Sequence, residues 1–416
     1  MERTYERSAA LAGRATGPLA SHLGLFVASL IAQQYTANVI AIKVRHALAF
    51  DRWLAERRVA PADLGQAHIE RYQRRERRRH RRIRPETRRC ERCEVTQLLQ
   101  FLRSHGVCLA ARIETTAADD LAALYGQHLR DRQGLAASTI ERYGTVARQF
   151  LHERFDGGAV DLRLLHAGDV IAFVQRQSRC LQPPALKCVT NAMRSFLRYA
   201  QYRGEATSAL AAAVPTVAAW TTTPAVPKAI LPEHAQRAID SCNLDTGGGL
   251  RDRAVLLLLA RLGLRANEII TLQLEDCDWD SGSLRVRGKN GRQQLLPMPA
   301  DVGAAIAAYL RHGRPMSNDR HVFLRSLAPI RGLMPGSDAI GTIVRHALQR
   351  AQVDAPHRGS HQFRHALAVR MLQAGASLGE IGEVLRHQSP QTTSIYARVD
   401  INALRSLTMP WPGGVQ

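Results

Sequence analysis

The stretch GSHQFRHALAVRMLQAGASLGEIGEVLRHQSPQTTSIYARVD (359–400) sets the fold of the C-terminal part of this 416-residue chain. His361 and Arg364 are three residues apart and therefore share one face near the start of a predicted helix. A second short helix is predicted over 378–386, and a third helix carries Tyr396. This close succession predicts a helical domain in which a histidine, an arginine and a tyrosine are available for chemistry.

An apolar helix upstream of this stretch ends at a turn formed by Gly263, which leads into Arg265 and a further helix. Two β-prone runs follow, 284–287 and 294–298, and the polar turn between them carries Lys289. This pattern predicts a β-hairpin with a lysine at its tip. We therefore expect a mainly α fold with a small antiparallel β-sheet.

Six polar residues span these segments in a fixed order: Arg265, Lys289, His361, Arg364, His387 and Tyr396. In order and spacing, the set resembles the catalytic residues of the tyrosine recombinase (phage integrase) family. The resemblance covers about 229–410, and the preceding 115–205 resembles the core-binding domain of that family. It implies helical, SAM-like DNA-binding domains followed by a mixed α/β catalytic domain. One departure is visible, because Arg386 stands where the family usually has glycine.

The roles implied by the resemblance fit the needs of phosphodiester cleavage. Arg265 and Arg364 would hold the two nonbridging phosphate oxygens through bidentate hydrogen bonds, a geometry that lysine does not reproduce. Tyr396 would be the nucleophile, and the adjacent arginines are expected to favour its phenolate. His361 would assist as a base or as an oriented donor.

The remaining site residues have supporting roles in the same reaction. Lys289 would protonate the departing 5′-oxygen, with Arg292 as a rival for that role. His387 would donate a hydrogen bond to the phosphate. Glu268 lies one turn after Arg265 and would orient that arginine or His361; the alternative is a surface carboxylate paired with a nearby base.

The N-terminal half of the chain is predicted to be helical and to contain an internal repeat. Residues 35–57 and 135–155 are both amphipathic at helical spacing. After a further helix, each leads to a segment that contains Phe-Leu-Arg and stops at glycine, over 96–106 and 193–204. We interpret them as two copies of one small helical domain, although amphipathic helices also resemble one another by chance.

Composition divides the chain into four parts. We predict a basic helical unit over 1–110, a core-binding helical domain over 111–205, a linker over 206–228 and a catalytic domain with its tail over 229–416. The linker is rich in Ala, Thr and Pro, and Lys228 is its only charged residue. By resemblance, the tail would pass to a neighbouring protomer in a tetramer; the alternative is a tail packed on its own domain.

The segment 71–89 holds eleven arginines and two glutamates, and so cannot form a core face. Its arginines suit a phosphate-contacting arm that grips the DNA backbone without reading sequence. A solvated loop is the compatible alternative. The candidates are Arg74, Arg75, Arg77, Arg78, Arg79, Arg81 and Arg82. The whole chain has 57 Lys and Arg against 36 Asp and Glu, and its formal charge of +21 indicates a polyanionic partner.

Several classes of protein are disfavoured by the same sequence. The N-terminus does not read as a signal peptide, and the densest apolar run, 254–260, is too short to span a bilayer. Cys90 and Cys93 precede His105 and Cys108, but one predicted helix would hold the two pairs roughly 20 Å apart, too far for one zinc ion. We expect no metal, no cofactor, no disulfide framework and no membrane partner, in a cytoplasmic, nucleoid-associated protein of bacterial or mobile-element origin.

The resemblance implies a site-specific recombinase or integrase that cuts and rejoins duplex DNA through a 3′-phosphotyrosine intermediate, without metal or ATP. Its partners would be specific duplex DNA sites and a homo-tetramer or mixed recombinase tetramer. Integration or transposition of a mobile element is the leading role, because the extra basic unit departs from compact resolvases. Alternatives in the family are a chromosome- or plasmid-dimer resolvase and a DNA invertase. A type IB topoisomerase and a non-catalytic DNA-binding protein of the same fold are the other candidates.

Overall fold

The structure is a computed structural model that describes residues 2–79, 85–108, 115–206, 208–217, 230–288, 292–334, 338–355 and 359–399. At 2–5, 77–79, 85–93, 208 and 397–399 it describes the backbone only. The chain divides into two compact units, Met1–Ile113 with Pro315–Gly332, and Glu114–Arg314 with Leu333–Gln416. Each unit has its own hydrophobic core.

The first unit is helical. Its helices are α1 (Glu2–Ala12), α2 (Ala20–Ala32), α3 (Ala37–Glu56), α4 (Gln66–Arg79) and α5 (Pro85–Ser104), with a 3-10 turn at Pro61–Asp63. Buried aliphatic side chains and aromatic ones, among them Phe26, Phe50 and Trp53, form its core. The arginine-rich segment is helical through Arg79 and again from Pro85, so the loop interpretation is wrong for these two parts of it. A segment this rich in arginine is compatible with a helix because arginine has a high helix propensity.

The second unit begins with another helical bundle. Its helices are α6 (Ala117–Asp131), α7 (Ala137–Phe155), α8 (Ala167–Ser178), α9 (Pro183–Tyr202) and α10 (Ser208–Ala212), with a 3-10 turn at Leu162–Leu164. The predicted linker over 206–228 begins too early, because Leu210 and Val214 are buried in this bundle. Arg194 also donates to the carbonyls of Val214 and Pro215. The low charge of this stretch therefore reflects burial in its first part, and 218–229 lie outside the described residues.

The two helical bundles share one order of elements. A helix, a long helix, a 3-10 turn and two further helices occur as α2 to α5 and again as α6 to α9. Three buried residues of α3, Ile40, Ala47 and Phe50, recur unchanged 100 positions later as Ile140, Ala147 and Phe150, which are buried in α7. Both final helices end at a left-handed glycine, Gly106 and Gly204. This shared pattern supports the predicted duplication.

The rest of the second unit carries the candidate site. Its helices are α11 (Pro232–Asp240), α12 (Gly247–Arg261), α13 (Ala266–Ile270), α14 (Ala300–Ala308), α15 (Ala339–Arg350), α16 (His361–Gln373), α17 (Leu378–Val384) and α18 (Pro390–Thr393). Short 3-10 segments occur at Leu274–Asp276 and Ser394–Val399, and a π-helical turn at Tyr309–Gly313. Every residue of α12 from Ala254 to Ala260 is buried, so this helix lies at the centre of the domain.

One small sheet accompanies these helices. Strands β1 (Cys277–Asp278), β2 (Ser283–Arg287) and β3 (Gln293–Pro297) are antiparallel in the order β1-β2-β3, with Leu284 opposite Leu296. The predicted hairpin and the predicted fold class, mainly α with a small antiparallel sheet, are confirmed. Within the described part of the chain, no helix is long and apolar enough to cross a membrane.

Candidate active site

Arg265 is held at the start of α13 by Glu268. The chain leaves α12 through Gly263, whose φ of +55° reverses its direction. Arg265 then precedes the first helical residue, and its backbone N–H donates to Glu268 Oε2 at 2.9 Å. Its guanidinium Nη1 donates to Glu268 Oε1 at 2.8 Å, while the carboxylate is only 4% exposed. The predicted contact of Glu268 is therefore with Arg265.

Arg364 is buried in α16 beneath the same turn. Its Nη1 donates to the carbonyl of Gly263 and its Nη2 to the carbonyl of Leu385. Burial, and then the charges of Arg265 and Arg386, lower the pKa of Arg364 to about 10, so that it remains protonated at neutral pH. Two backbone carbonyls from distant segments thus fix the orientation of this guanidinium.

His387 follows the end of α17 and is fixed on both sides. Arg386 has a φ of +55°, and its N–H bonds to Glu383 O while that of His387 bonds to Gly382 O, each at 2.9 Å. This is a Schellman ending, in which glycine is the usual left-handed residue. His387 Nδ1 lies 2.7 Å from Thr393 Oγ1, and Nε2 makes no hydrogen bond to a described residue.

The electrostatic environment keeps His387 neutral. Burial is the largest cause, followed by the charges of Arg364 and Arg265, and together they lower its pKa to about 4. A neutral imidazole at pH 7 donates one hydrogen bond from a single ring nitrogen. The Thr393 hydroxyl can donate to Nδ1 or accept from it, and when it donates to Nδ1 the proton of the ring lies on Nε2.

Tyr396 is 1% exposed in the 3-10 segment after α18. It packs against the buried side chains of Leu367, Ile381 and Leu385. Burial raises its pKa to about 12, although the charge of Arg364 acts in the opposite direction. Arg364 thus favours the phenolate, as expected, but the desolvation of the anion outweighs this attraction and the net pKa is raised.

The phenol has a histidine partner that sequence analysis did not single out. His365 Nδ1 lies 2.8 Å from Tyr396 Oη, and the two rings meet edge to face with centroids 5.7 Å apart. The signal was present in the motif HQFRH, because residues 361 and 365 are four apart and share one helix face. His361, the residue chosen from the sequence, is exposed, and its ring centroid lies 6.4 Å from that of His365. Although its side chain reaches solvent, neighbouring protein atoms partly desolvate the ring, and this desolvation, followed by the charges of Arg364 and Arg265, lowers the pKa of His361.

A cleft of about 960 Å³ is lined by Arg265 and His387, whereas Arg364, His361, His365 and Tyr396 are not among its lining residues. Its walls include Arg265, Glu268, Arg386 and His387, and Arg292 contributes from the start of β3. The cleft is therefore lined by cations at a site where arginine and histidine donors converge, as anion recognition requires. Lys289, the predicted acid at the hairpin tip, lies outside the described residues, and Arg292 is exposed.

The predicted arginine arm is only partly described. Arg74 Nε donates to Glu70 O at 3.4 Å, and Arg75 Nη1 pairs with Glu56 at 3.2 Å. That pair is solvent-exposed and stabilises the fold little. The side chains of Arg77, Arg78 and Arg79 are not described, and Arg81 and Arg82 lie outside the described residues. Among the residues with described side chains, no group of three or more His, Cys, Asp or Glu could hold a metal ion.

Comparison with known proteins identifies the class. The sequence model of the phage integrase family matches residues 228–402. A Sinorhizobium fredii protein named as an integrase/recombinase (y4rA) is 45% identical over 404 residues, 96% of each chain. Tyrosine recombinase XerD of Mycobacterium tuberculosis is 30% identical over 306 residues, 70% of this chain and 95% of its own. The chain belongs to the phage integrase family, and within it the protein is a tyrosine recombinase.

Solved structures agree on the fold. XerH site-specific recombinase, in a pre-cleavage complex with its difH substrate, matches with a TM-score of 0.53 at 17% identity. The match covers 70% of this chain and 97% of that chain. A post-cleavage complex of XerH with a palindromic difH substrate gives a TM-score of 0.52 over 69% and 83% of the two chains at the same identity.

Proposed function

We propose that this protein cuts and rejoins duplex DNA at specific sites, with Tyr396 as the nucleophile. The observation that carries the proposal is the buried phenol, hydrogen-bonded to His365 and close enough to Arg364 for that charge to act on it. The phenol oxygen attacks the phosphorus, a 3′-phosphotyrosine bond forms, and the bond to the 5′-oxygen breaks. The energy of the phosphodiester is kept in the new ester, so rejoining needs no ATP.

Proton transfer follows from the contacts of the phenol. A phenol whose pKa is near 12 must lose its proton during attack, and His365 is the group within hydrogen-bond distance of it. His365 takes the proton as the bond to phosphorus forms. The 5′-oxygen leaves with a proton supplied by Lys289 or by Arg292, the two cations of the hairpin turn.

The arginines stabilise the charge that develops on the phosphate. Arg265 at the cleft and Arg364 beneath it direct two guanidiniums toward one phosphate, where preoriented donors act most strongly on the transition state. His387 adds a neutral donor through Nε2, and His361 supplies a further polar group at the accessible start of α16. Glu268 orients Arg265. The proposed reaction calls for no metal ion or cofactor.

The biological role we propose is integration or transposition of a mobile element. The 45% identity to a protein named as an integrase/recombinase over nearly the whole chain supports it, because that match includes the basic N-terminal unit. A dimer resolvase or a DNA invertase is the alternative within the family. Exchange between two duplexes needs four active sites, so we propose a tetramer assembled on DNA, in the cytoplasm.

The helical bundles would grip the duplex opposite the catalytic domain. We propose two N-terminal DNA-binding units, over 1–110 and from 111 to about 217, with a linker after them and a catalytic domain from 229 onward. The shared element order of the two bundles and the arginines of α4 support this arrangement. The segment 400–416 is proposed to reach a neighbouring protomer.

Capture of the covalent intermediate tests the nucleophile. The protein is expressed with a tag in bacterial cells, protein–DNA adducts are purified under denaturing conditions, and the attached DNA is sequenced. A nicked duplex built on the recovered site then traps the intermediate in vitro. Tyr396→Phe should form no adduct, whereas Tyr309→Phe, a buried tyrosine of the same domain, should form it normally. Adduct formation by Tyr396→Phe would refute the assignment.

The same experiments separate the rival functions. A non-catalytic DNA-binding protein forms no adduct in cells, so no DNA is recovered with it under denaturing conditions. A type IB topoisomerase relaxes supercoiled DNA as a monomer and without a specific site, whereas the proposed recombinase joins two sites through a four-way junction.

A further inference from the structure

Arg386 occupies a backbone position that ordinarily belongs to glycine. Its φ of +55° lies in the left-handed region, where a side chain costs free energy that glycine does not incur. The family resemblance also places glycine here. The side chain of Arg386 makes a set of contacts in this conformation, and those contacts point to a role.

The guanidinium of Arg386 is buried and contacts the carboxylate of Glu268, which also holds Arg265. The side chain of Arg386 is only 6% exposed. Nη1 donates to the carbonyls of Leu262 at 3.3 Å and Val384 at 3.1 Å. Nη2 donates to Glu268 Oε2 at 3.1 Å and to Gly263 O at 3.4 Å. One side chain therefore ties together the end of α12, the end of α17 and the carboxylate that orients Arg265.

The backbone of Arg386 contacts Arg265 directly. The carbonyl of Arg386 accepts a hydrogen bond from Arg265 Nη2 at 3.1 Å, while Glu268 accepts from Arg265 Nη1 at 2.8 Å. Two of the guanidinium nitrogens of Arg265 are thus fixed by acceptors that Arg386 either provides or contacts. A rotation of Arg265 would break contacts that Arg386 holds in place.

Charge gives Arg386 a second effect on Arg265. Glu268 is a single buried carboxylate shared by two guanidiniums. With both present, the group carries a net positive charge that remains available to a phosphate. Without Arg386, the carboxylate would offset the charge of Arg265 alone, and the attraction of that arginine for an anion would fall.

We propose that Arg386 is a positioning residue that holds Arg265, through Glu268 and through its own carbonyl, in the orientation needed to bind the nonbridging phosphate oxygen, and that it keeps the group formed with Glu268 net positive. The inference rests on the proposed function, because it assigns Arg265 to the phosphate. Arg386 itself donates hydrogen bonds to four acceptors within the protein. We therefore assign it to positioning Arg265 and not to contact with the substrate.

The test compares two glycine variants with the same backbone setting. Arg386→Gly removes the guanidinium and relieves the left-handed residue. Gln352→Gly is the matched control, because Gln352 has a φ of +52° at the end of α15. Its N–H bonds to Gln349 O and that of Val353 to Leu348 O, the same Schellman pattern as after α17. Gln352 is exposed and lies outside the cleft.

Three quantities are measured on full-length protein: the melting temperature, the affinity for the recovered DNA site, and the single-turnover rate of adduct formation on a nicked duplex. Each rate is measured with a natural scissile phosphate and with a methylphosphonate, in which a neutral methyl group replaces one nonbridging oxygen. If Arg386 acts through the charge that Arg265 presents to the phosphate, its removal should slow cleavage of the neutral substrate less.

For Arg386→Gly we expect an unchanged or higher melting temperature and an unchanged affinity. Its adduct formation on phosphate should be about 10- to 100-fold slower, the usual range for loss of a group that orients an active-site residue. On methylphosphonate the loss should shrink to less than about 3-fold, since the transition state carries one negative charge fewer for the arginines to stabilise. Gln352→Gly should match the wild type on both substrates, and Arg386→Lys should lose less than Arg386→Gly.

Other results overturn the inference. Arg386→Gly within about 2-fold of the wild type on phosphate would show that Arg265 needs no such support. An equal loss on both substrates would assign Arg386 a purely structural role. If Arg386→Gly has a lower melting temperature than the wild type, the rates on phosphate and on methylphosphonate are compared for Arg386→Lys instead, and the same two criteria apply. Absence of adduct with the wild-type protein would instead refute the proposed function, and the inference with it.

Discussion

Replacing Gly263 with alanine tests how the turn after α12 supports the active site. Gly263 has a φ of +55°, and a Cβ there would lie 2.7 Å from Leu385 Cδ2 and 3.0 Å from Leu367 Cδ2. Both leucines are buried. Leu385 also carries the carbonyl that accepts from Arg364. A single methyl group at this position therefore perturbs both the packing and the position of Arg364, which is proposed to bind the phosphate.

The magnitude has two parts. A left-handed conformation costs a residue with a Cβ about 1–2 kcal/mol. Overpacking a well-filled core costs a further ~1–3 kcal/mol, because two buried leucines must shift. The expected loss in free energy of unfolding is thus about 2–5 kcal/mol, or roughly 5–15 °C in melting temperature for a domain of this size.

Gly282→Ala is the control that separates these parts. Gly282 has a φ of +61° in the turn between β1 and β2, but a Cβ there meets nothing within 4 Å. We expect it to lose only about 1–2 kcal/mol, the conformational part. Thermal and urea unfolding give the stabilities, and the adduct assay should show slower cleavage for Gly263→Ala alone. Equal destabilisation by the two variants would refute the packing argument.

Three further predictions concern the phenol, the pH dependence and the arm. His365→Phe should slow adduct formation by about 10²–10⁴-fold with unchanged DNA affinity, since the phenol loses its proton acceptor; a loss of only a few-fold would contradict this role. Because the pKa of His387 falls from an ordinary 6.5 to about 4, the folded protein binds fewer protons than the unfolded chain between these values. Its free energy of unfolding should therefore fall as the pH drops through that window, and His387→Gln should show a smaller fall in urea titrations. Replacing arginines of 74–82 with glutamine should weaken binding to all DNA sequences and flatten its salt dependence by about 0.9 per lost phosphate contact; an unchanged slope would exclude the arm.

Local patterns carried most of the fold prediction. Helical periodicity, turn glycines and the two β-prone runs predicted the helices and the hairpin, because these signals act between neighbours in the chain. The same patterns misplaced the start of the linker. Leu210 and Val214 fill the core of the helical bundle. From the sequence alone, a short apolar stretch without charge cannot be assigned either to a buried segment or to a linker between two domains.

The candidate site, too, was predicted only in part from the sequence. The order of Arg265, His361, Arg364, His387 and Tyr396 was readable, because chemistry fixes which residue types are required. Their environments were not. The pKa of the tyrosine depends on how deeply it is buried, and its partner His365 became evident only when α16 and the segment after α18 were seen in contact.

By itself, the sequence determined which residues are available for DNA cleavage, the helical character of the chain and its strongly basic charge. Tertiary structure decided how those residues are held. Arg364 reaches a carbonyl 101 positions away, and Arg265 one 121 positions away. The physical reason is that hydrogen bonding and desolvation depend on distance in space, whereas sequence patterns report only the spacing along the chain. For that reason the sequence shows Arg386 only as a departure from the family at a turn. The structure shows that it contacts Arg265 and Glu268, and we propose that it positions Arg265.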